Sequence, residues 1–355
     1  MKITMKEIAL RAGVSPATVS RVVNGNGEVA PDKREKILRI VADEAGQRHW
    51  IGHRRKYRVR HIGLLLLSGS RFDIRPVGAK IIHIADHLPR DYEFQVCSSP
   101  VDAHRLESQF LRGELDGLLL SGHNVQDPFL AFLLNRIPHV WLNSFQLEDQ
   151  QAVSLMGNEF AGKLAANYLL DHHCRRPAVL SFRTDNIGLA DRVAGFTAGC
   201  FLRKVPSYEI PLDFSGKPLP VDDLLNHGEL LEEAIRAALE KFPPRGIPDG
   251  IFSPEEVLTP YLYRVFLRRK LKKYPPVISC NHTPGYLAGL YPRPASIDLH
   301  PETLVKLAID ELVNRIEGRP PRPDNIAAVV QPQLIPGEAD ALPETSGGEI
   351  TPGRR

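Results

Sequence analysis

Thr4-Met5-Lys6-Glu7-Ile8-Ala9-Leu10-Arg11-Ala12-Gly13-Val14-Ser15-Pro16-Ala17-Thr18-Val19-Ser20-Arg21-Val22-Val23-Asn24 decides how this chain begins to fold. Thr4 and Glu7 have the spacing of a capping box, in which a hydroxyl and a carboxylate three residues later each satisfy a free amide of the first helical turn. Ile8, Ala9 and Ala12 then form a short apolar face, and Gly13 stops the helix. Ser15 caps a second helix, Pro16 has the fixed φ suited to its first position, and Val19, Val22 and Val23 supply the buried stripe. Asn24-Gly25-Asn26-Gly27 ends it in turn chemistry. A third helix is expected from Pro31 to Ala45, with Ile37, Ile40 and Val41 inward and Gly46 as its stop. Two short helices joined by a tight glycine-containing turn, with a third behind them, make a helix-turn-helix.

The charge distribution agrees. Over 355 residues, 45 Lys and Arg against 42 Asp and Glu give a formal net charge of only +3. Residues 1–61 hold 14 basic and 6 acidic side chains, whereas the remainder holds 31 and 36. A small basic head therefore precedes a larger, slightly acidic body, and concentrated positive charge is what a polyanion recognises. In a helix-turn-helix the second helix lies in the major groove with its N-terminal residues at the base edges and its amide end near phosphate. Pro16, Ala17, Ser20 and Arg21 fall on the side opposite the valines. Ala17 can meet a thymine methyl, and the Arg21 fork suits guanine or phosphate, with a surface ion pair as the competing role. Pro16 serves equally well to start the helix.

The run Ala9-x-x-Ala12-Gly13-Val14-Ser15-x-x-Thr18-Val19-Ser20-Arg21-Val22-x-Asn24 resembles the DNA-binding domain of the LacI/GalR family of bacterial repressors. The resemblance implies that Thr4, Ser15, Thr18, Ser20 and Asn24 position the DNA backbone and that Pro16, Ala17 and Arg21 set sequence choice. The family usually continues with a Tyr-x-Pro-Asn segment and a hinge helix whose Leu wedges into the minor groove. Here residues 47–60 read Gln-Arg-His-Trp-Ile-Gly-His-Arg-Arg-Lys-Tyr-Arg-Val-Arg, and Lys56 or Tyr57 stands about where that Leu is expected. Six basic and no acidic residues from Arg48 to Arg60 predict strong, salt-sensitive phosphate binding, with Arg54, Arg55, Lys56 and Tyr57 at the DNA. Gly52 and the like charges oppose an isolated helix, so the segment is expected to fold on DNA with Tyr57 or Ile51 as the wedge.

From Ile62 onward, apolar runs of strand length alternate with helical patterns, which predicts βα units and parallel sheets. Strands are expected at 62–67, 94–97, 117–120, 140–142, 152–155, 178–182, 250–252, 277–280 and 327–330. Helices are expected near 77–88, 103–111, 128–135, 158–170, 189–202, 224–239, after Phe252 to Lys273, and from Leu304 to Ile316. The layout restarts midway, implying two lobes. Asp116-Gly117-Leu118-Leu119-Leu120, Ile137-Pro138-His139-Val140, Gly162-x-x-x-Ala166-x-x-Leu169, Arg192-x-x-Gly195-Phe196 and Gln331-Pro332-Gln333-Leu334 resemble, in order and spacing, the periplasmic-binding-protein-like effector domain of the same family. The expected fold class is thus α plus α/β: a helix-turn-helix at 1–47, a basic hinge at 48–61, a two-lobed parallel α/β domain at 62–338 and a disordered tail at 339–355.

By that resemblance Arg192 holds a ligand in the cleft between the lobes, Asn143 faces it after the fourth strand, and Asn281 falls where Gly-Phe-Asp-Asp is usual. Ser253-Pro254-Glu255-Glu256 replaces the usual Asn-Asp, which makes Glu255 a candidate contact, and Phe72 and Asp73 can line the mouth. These departures point away from a standard hexose: either the ligand differs or the pocket is degenerate. No G-x-G-x-x-G, Walker loop, G-x-S-x-G or H-E-x-x-H is present, and Asp171-His172-His173-Cys174 lacks a second ligand cluster, so neither enzyme, cofactor nor metal site is expected. Lys2, Lys6 and Glu7 interrupt the apolar stretch a signal peptide needs, and Cys97, Cys174, Cys200 and Cys280 are scattered, which together suggest a bacterial cytoplasmic protein with reduced thiols. The expected function is a homodimeric repressor of a palindromic operator, modulated by a sugar-like small molecule. The rival readings are an effector-independent regulator with a degenerate pocket and a solute-binding or enzymatic body on a DNA-binding head.

Overall fold

The computed structural model describes residues 4–24, 29–46, 59–67, 82–97, 106, 109–110, 114–122, 134, 136–142, 154–184, 186–214, 224, 227–242, 248–319, 328–338 and 340. The chain divides into two compact units, Met1–Leu155 with Pro301–Val329, and Met156–His300 with Val330–Arg355, so it passes between them three times. Among the described residues no helix is long and apolar enough to cross a membrane.

The head contains α1 (Met5–Ala12), α2 (Pro16–Asn24) and α3 (Pro31–Gly46). The capping box forms as expected: Glu7 N donates to Thr4 Oγ1 and Thr4 N to the Glu7 carboxylate at 2.7 Å. Gly13 takes φ +70, the left-handed value that ends α1. Ile8, Ala9, Ala12, Val19, Val22, Ile37 and Leu38 form one small core. Helix α3 includes Gly46 rather than stopping before it. The Gly25–Gly27 turn and residues 47–58 lie outside the described residues.

The first α/β unit holds β1 (Arg60–Leu67), β2 (Tyr92–Cys97), β3 (Gly117–Gly122) and β4 (His139–Leu142), all parallel in the order β2-β1-β3-β4. Each expected strand is present. Residues 82–87 are helical, and most of the helices expected at 103–111 and 128–135 lie outside the described residues. Arg60, counted with the hinge charges, belongs instead to β1. Its guanidinium donates to the Tyr92 hydroxyl and, at 3.0 Å, to Glu317. Its charge is thereby engaged by an acid of the same unit.

β5 (Ser154–Met156) leads into α4 (Asn158–Asp171), β6 (Pro177–Phe182), α5 (Ile187–Leu202), β7 (Tyr208–Leu212), α6 (Gly228–Glu240), β8 (Gly250–Ser253), α7 (Thr259–Arg268), β9 (Val277–Cys280), α8 (Pro284–Leu287) and β10 (Ala295–Asp298). Helix α9 (Pro301–Ile316) then returns to the first unit, where Val305, Ala308, Ile309 and Leu312 cover Ile62, Leu64, Leu119 and Val140. β11 (Ala328–Val330) pairs with β5, and β12 (Gln333–Ile335) closes the second sheet antiparallel to β10. The second sheet runs β12-β10-β9-β8-β6-β7. One core joins it to α6 and α7, the other to α4 and α5.

Three differences from expectation concern this unit. β7, α8, β10 and β12 are absent from the sequence expectation, the helix expected from 224 begins at Gly228, and the following one ends at Arg268 rather than Lys273. The tail expected from 339 also needs correction. Asp340 accepts hydrogen bonds from Tyr168 Oη at 3.0 Å and Gly337 N at 2.7 Å, with His172 Nε2 at 2.8 Å, so the chain is anchored to the end of α4 there. Residues 341–355 lie outside the described residues.

Candidate functional site

Two constellations carry chemistry, one in the head and one in the second unit. In the head, Ser15 Oγ accepts from Thr18 N at 3.1 Å and lies 2.9 Å from the Thr18 hydroxyl, fixing the first turn of α2. With Val19 and Val22 buried, Pro16, Ala17 and Arg21 are exposed and Thr18 and Ser20 partly so. The exposed residues of the first turn thus sit beside amide donors, while a basic side chain projects one turn further on, the arrangement that suits base edges flanked by phosphate. Thr4, Lys6, Arg11, Lys33 and Lys36 are exposed too. Asn24 closes α2, and its side chain lies outside the described set. The expected DNA contacts at Arg54, Arg55, Lys56 and Tyr57 likewise fall outside the described residues.

In the second unit, α4 and α5 approach so closely that glycine is required at the crossing. A methyl on Gly162 would stand 2.1 Å from the Arg192 carbonyl oxygen, and one on Gly195 2.1 Å from that of Glu159. This contact fixes where α5 presents Arg192, which is only 7% exposed. Arg192 Nε donates to Asn158 Oδ1 at 2.9 Å, and Nη1 donates to the Pro254 carbonyl at 2.7 Å and lies 3.7 Å from Glu255 Oε2. Nη2 meets the Met156 sulfur at 3.9 Å. Asn281 Nδ2 donates to Glu255 Oε1 at 2.7 Å. Arg192, Glu255 and Asn281, each expected from sequence, are therefore brought together, and Asn158 joins them. Phe72, Asp73 and Asn143 lie outside the described residues.

The location follows from topology. Glu255 follows β8 and Asn281 follows β9, so both stand at the carboxyl ends of parallel strands, where open α/β sheets bind ligands. Asn281 and His282 have φ +118 and +50, strained values for side-chain-bearing residues. Glu256 holds that loop in place. Fully buried, it accepts from Ser279 Oγ at 2.8 Å, from Ser296 Oγ at 2.6 Å and from the Thr283 amide. Burial pushes the Glu255 carboxyl above its ordinary value, with Arg192 and the Asn281 amide pulling it back and Glu256 pushing it further.

Sequence reasoning missed Asn158, Glu256, Ser279 and Ser296. Asn158 is the first residue of α4, and Glu256 differs from Glu255 in the text by nothing but order. In Asp171-His172-His173-Cys174, Asp171 ends α4 and the rest is the turn after it: His173 has φ +61, His172 meets Asp340, and Cys174 Sγ donates to the Asp249 carbonyl at 3.2 Å. Among the described residues no group of three or more His, Cys, Asp or Glu could hold a metal ion.

Comparison with known proteins places both constellations in context. Residues 4–45 match the family described as bacterial regulatory proteins, lacI family. The ribose operon repressor of Haemophilus influenzae is 24% identical over 342 residues, 94% of this chain and 97% of that protein. The transcriptional regulator CelR in complex with cellobiose aligns over 95% of this chain and 99% of its own at 20% identity and a TM-score of 0.58. The lac repressor dimer bound to operator and the anti-inducer ONPF aligns over the same shares at 18% identity and 0.55. At those identities the structural likeness shows the shared fold: a helix-turn-helix followed by a two-lobed α/β body of the periplasmic-binding-protein kind.

Proposed function

We propose that this chain, whose residues 4–45 match the lacI family of bacterial regulatory proteins, is a DNA-binding transcriptional regulator that represses a roughly palindromic operator, bound as a homodimer. The observation that carries this reading is the exposed face of α2, where Pro16, Ala17 and Arg21 stand clear of a core that holds Val19 and Val22. One such helix meets too few base pairs for gene-level specificity, whereas two on a two-fold axis read two half-sites. The second unit offers an apolar surface for pairing, with Leu267 and Tyr291 69% and 85% exposed beside Tyr261 and Tyr286. Selection of bound sites from random DNA tests the reading. An inverted repeat is expected, and its absence would overturn the dimer.

A sugar-like small molecule at the Arg192, Glu255 and Asn281 cluster adjusts operator affinity in this reading, by favouring one of two states of the dimer. Buried, hydrogen-bonded polar groups at strand carboxyl ends support it. So do the relatives, a ribose operon repressor and a regulator complexed with cellobiose. Coupling must be reciprocal, so operator must change the affinity for the ligand by the same factor. Thermal-shift screening of sugars is the first experiment, since a ligand at a hundred times its Kd stabilises the fold by about 2.7 kcal/mol. One observation favours a second reading, regulation without effector: Arg192 already has Asn158, Pro254 and Glu255 as partners within the chain. A screen without hits, together with full operator binding by the purified chain, would select it. On either reading the protein acts on DNA in the bacterial cytoplasm.

A further inference from the structure

The charges of the Arg192 cluster are already matched. A buried guanidinium needs a counter-charge, and here the chain supplies one: Glu255 lies 3.7 Å from Nη1 and is itself held by Asn281. Glu256 stands next in sequence, fully buried and tied by two serine hydroxyls and a backbone amide. Its oxygens are committed to that loop, so among the described residues Glu255 is the carboxylate that pairs with Arg192. The edge of Arg192 without an oxygen partner among the described residues is Nη2, which faces the sulfur of Met156. A ligand carboxylate or phosphate directed at Nη2 would bring a second negative group to a buried guanidinium that Glu255 already pairs with. A hydroxyl or amine meets no such penalty, because it can donate to Glu255 while accepting from, or merely adjoining, Nη2.

We propose that Glu255 is a built-in counter-ion of Arg192, so that the site takes uncharged or cationic polyhydroxy ligands and rejects their carboxylate- and phosphate-bearing counterparts. This deepens the effector reading above and rests on it for its ligand, although the counter-ion role itself is tested without one. Glu255→Gln keeps the shape and the Asn281 contact but leaves Arg192 unmatched, so the variant should recruit an inorganic anion.

The first measurement is the melting temperature of the full chain in sodium sulfate against sodium chloride at equal ionic strength. Glu255→Gln should be stabilised selectively by sulfate, while the wild type and the double variant Arg192→Gln/Glu255→Gln should not. Equal responses in the wild type and Glu255→Gln would overturn the proposal. The second is calorimetric titration with matched sets: glucose, glucosamine, gluconate and glucose 6-phosphate, then ribose and ribose 5-phosphate. In any set that binds, the wild type should favour the neutral or amine member over the anionic one by about tenfold or more, and Glu255→Gln should narrow or reverse that preference. Tightest binding of an anionic member by the wild type would sink the selectivity, and this comparison decides even if Glu255→Gln does not fold. A panel without binding, alongside a selective sulfate response, would overturn the effector reading while upholding the counter-ion.

Discussion

Replacing Gly195 with Ala tests whether the crossing of α4 and α5 sets the position of Arg192. The added methyl would lie 2.1 Å from the Glu159 carbonyl oxygen and 2.9 Å from its carbon. An ordinary carbon to oxygen contact is about 3.3 Å, so the helices must part by about 1 Å. Overpacking of a core costs about 1–3 kcal/mol, and the upper end applies because the obstacle is backbone that no rotamer change can move. Alanine returns about 1 kcal/mol through its helical propensity. The net loss is about 2 kcal/mol, a fall in Tm of roughly 4–8 °C for a unit of this size. Differential scanning calorimetry of the full chain reads it directly. Gly285→Ala and Gly289→Ala serve as controls, since nothing lies within 4 Å of a methyl at either position. A Gly195→Ala protein that melts within about 1 °C of the wild type, as the controls should, would refute the idea that the helices are in backbone contact.

Four further outcomes are expected. Arg21→Met should weaken operator binding by about 1–3 kcal/mol in an electrophoretic shift assay and relax preference at one base pair, whereas a uniform loss with a salt slope reduced by about one would assign Arg21 to phosphate. In the native protein at pH 8, iodoacetamide should leave Cys174, Cys200 and Cys280 unmodified and label them after denaturation, because burial removes access and pushes the thiols up to about 12, 11 and 12. Asp340→Asn should cost about 1–2 kcal/mol in urea unfolding by weakening the Tyr168 and His172 contacts, and no change would remove the clasp from the stabilising interactions. The folded Glu255 carboxyl titrates above its ordinary value of 4.5, so folding takes up a proton in that window. Wild-type stability should accordingly rise relative to Glu255→Gln as pH falls through the folded value towards 4.5, and an opposite slope would contradict the burial.

Local signals carried the head almost completely. A capping box, a glycine in the left-handed region and a valine stripe are each written within a few residues, so nothing distant had to be known. The buried parallel strands were legible for a similar reason, since Gly117–Leu120 and Val277–Cys280 are apolar runs covered on both faces. β7, β10 and β12 escaped because they are short and mixed. β7 reads Tyr-Glu-Ile-Pro-Leu, and Pro211 is tolerated there only because the strand lies at the edge of the sheet. β10 and β12 draw their pairing from neighbours that the text does not place beside them. The second-unit cluster was half legible. Arg192 and Asn281 stand at offsets that a family resemblance marks, but Glu255 and Glu256 are adjacent carboxylates whose separate tasks depend on three hydroxyl and amide donors from Ser279, Ser296 and Thr283.

Helix α9 has a bearing on how the protein is made. It covers the sheet face formed by Ile62, Leu64, Leu119 and Val140, yet it follows the last of those strands by roughly 160 residues. At synthesis rates of about 5–20 residues per second, that greasy face leaves the ribosome roughly 10–30 s before the helix that belongs on it. For that interval the nascent first unit is an incomplete product that chaperones or other nascent chains can engage. Slow translation between codons 143 and 300 should therefore raise aggregation of this protein without any change to its sequence.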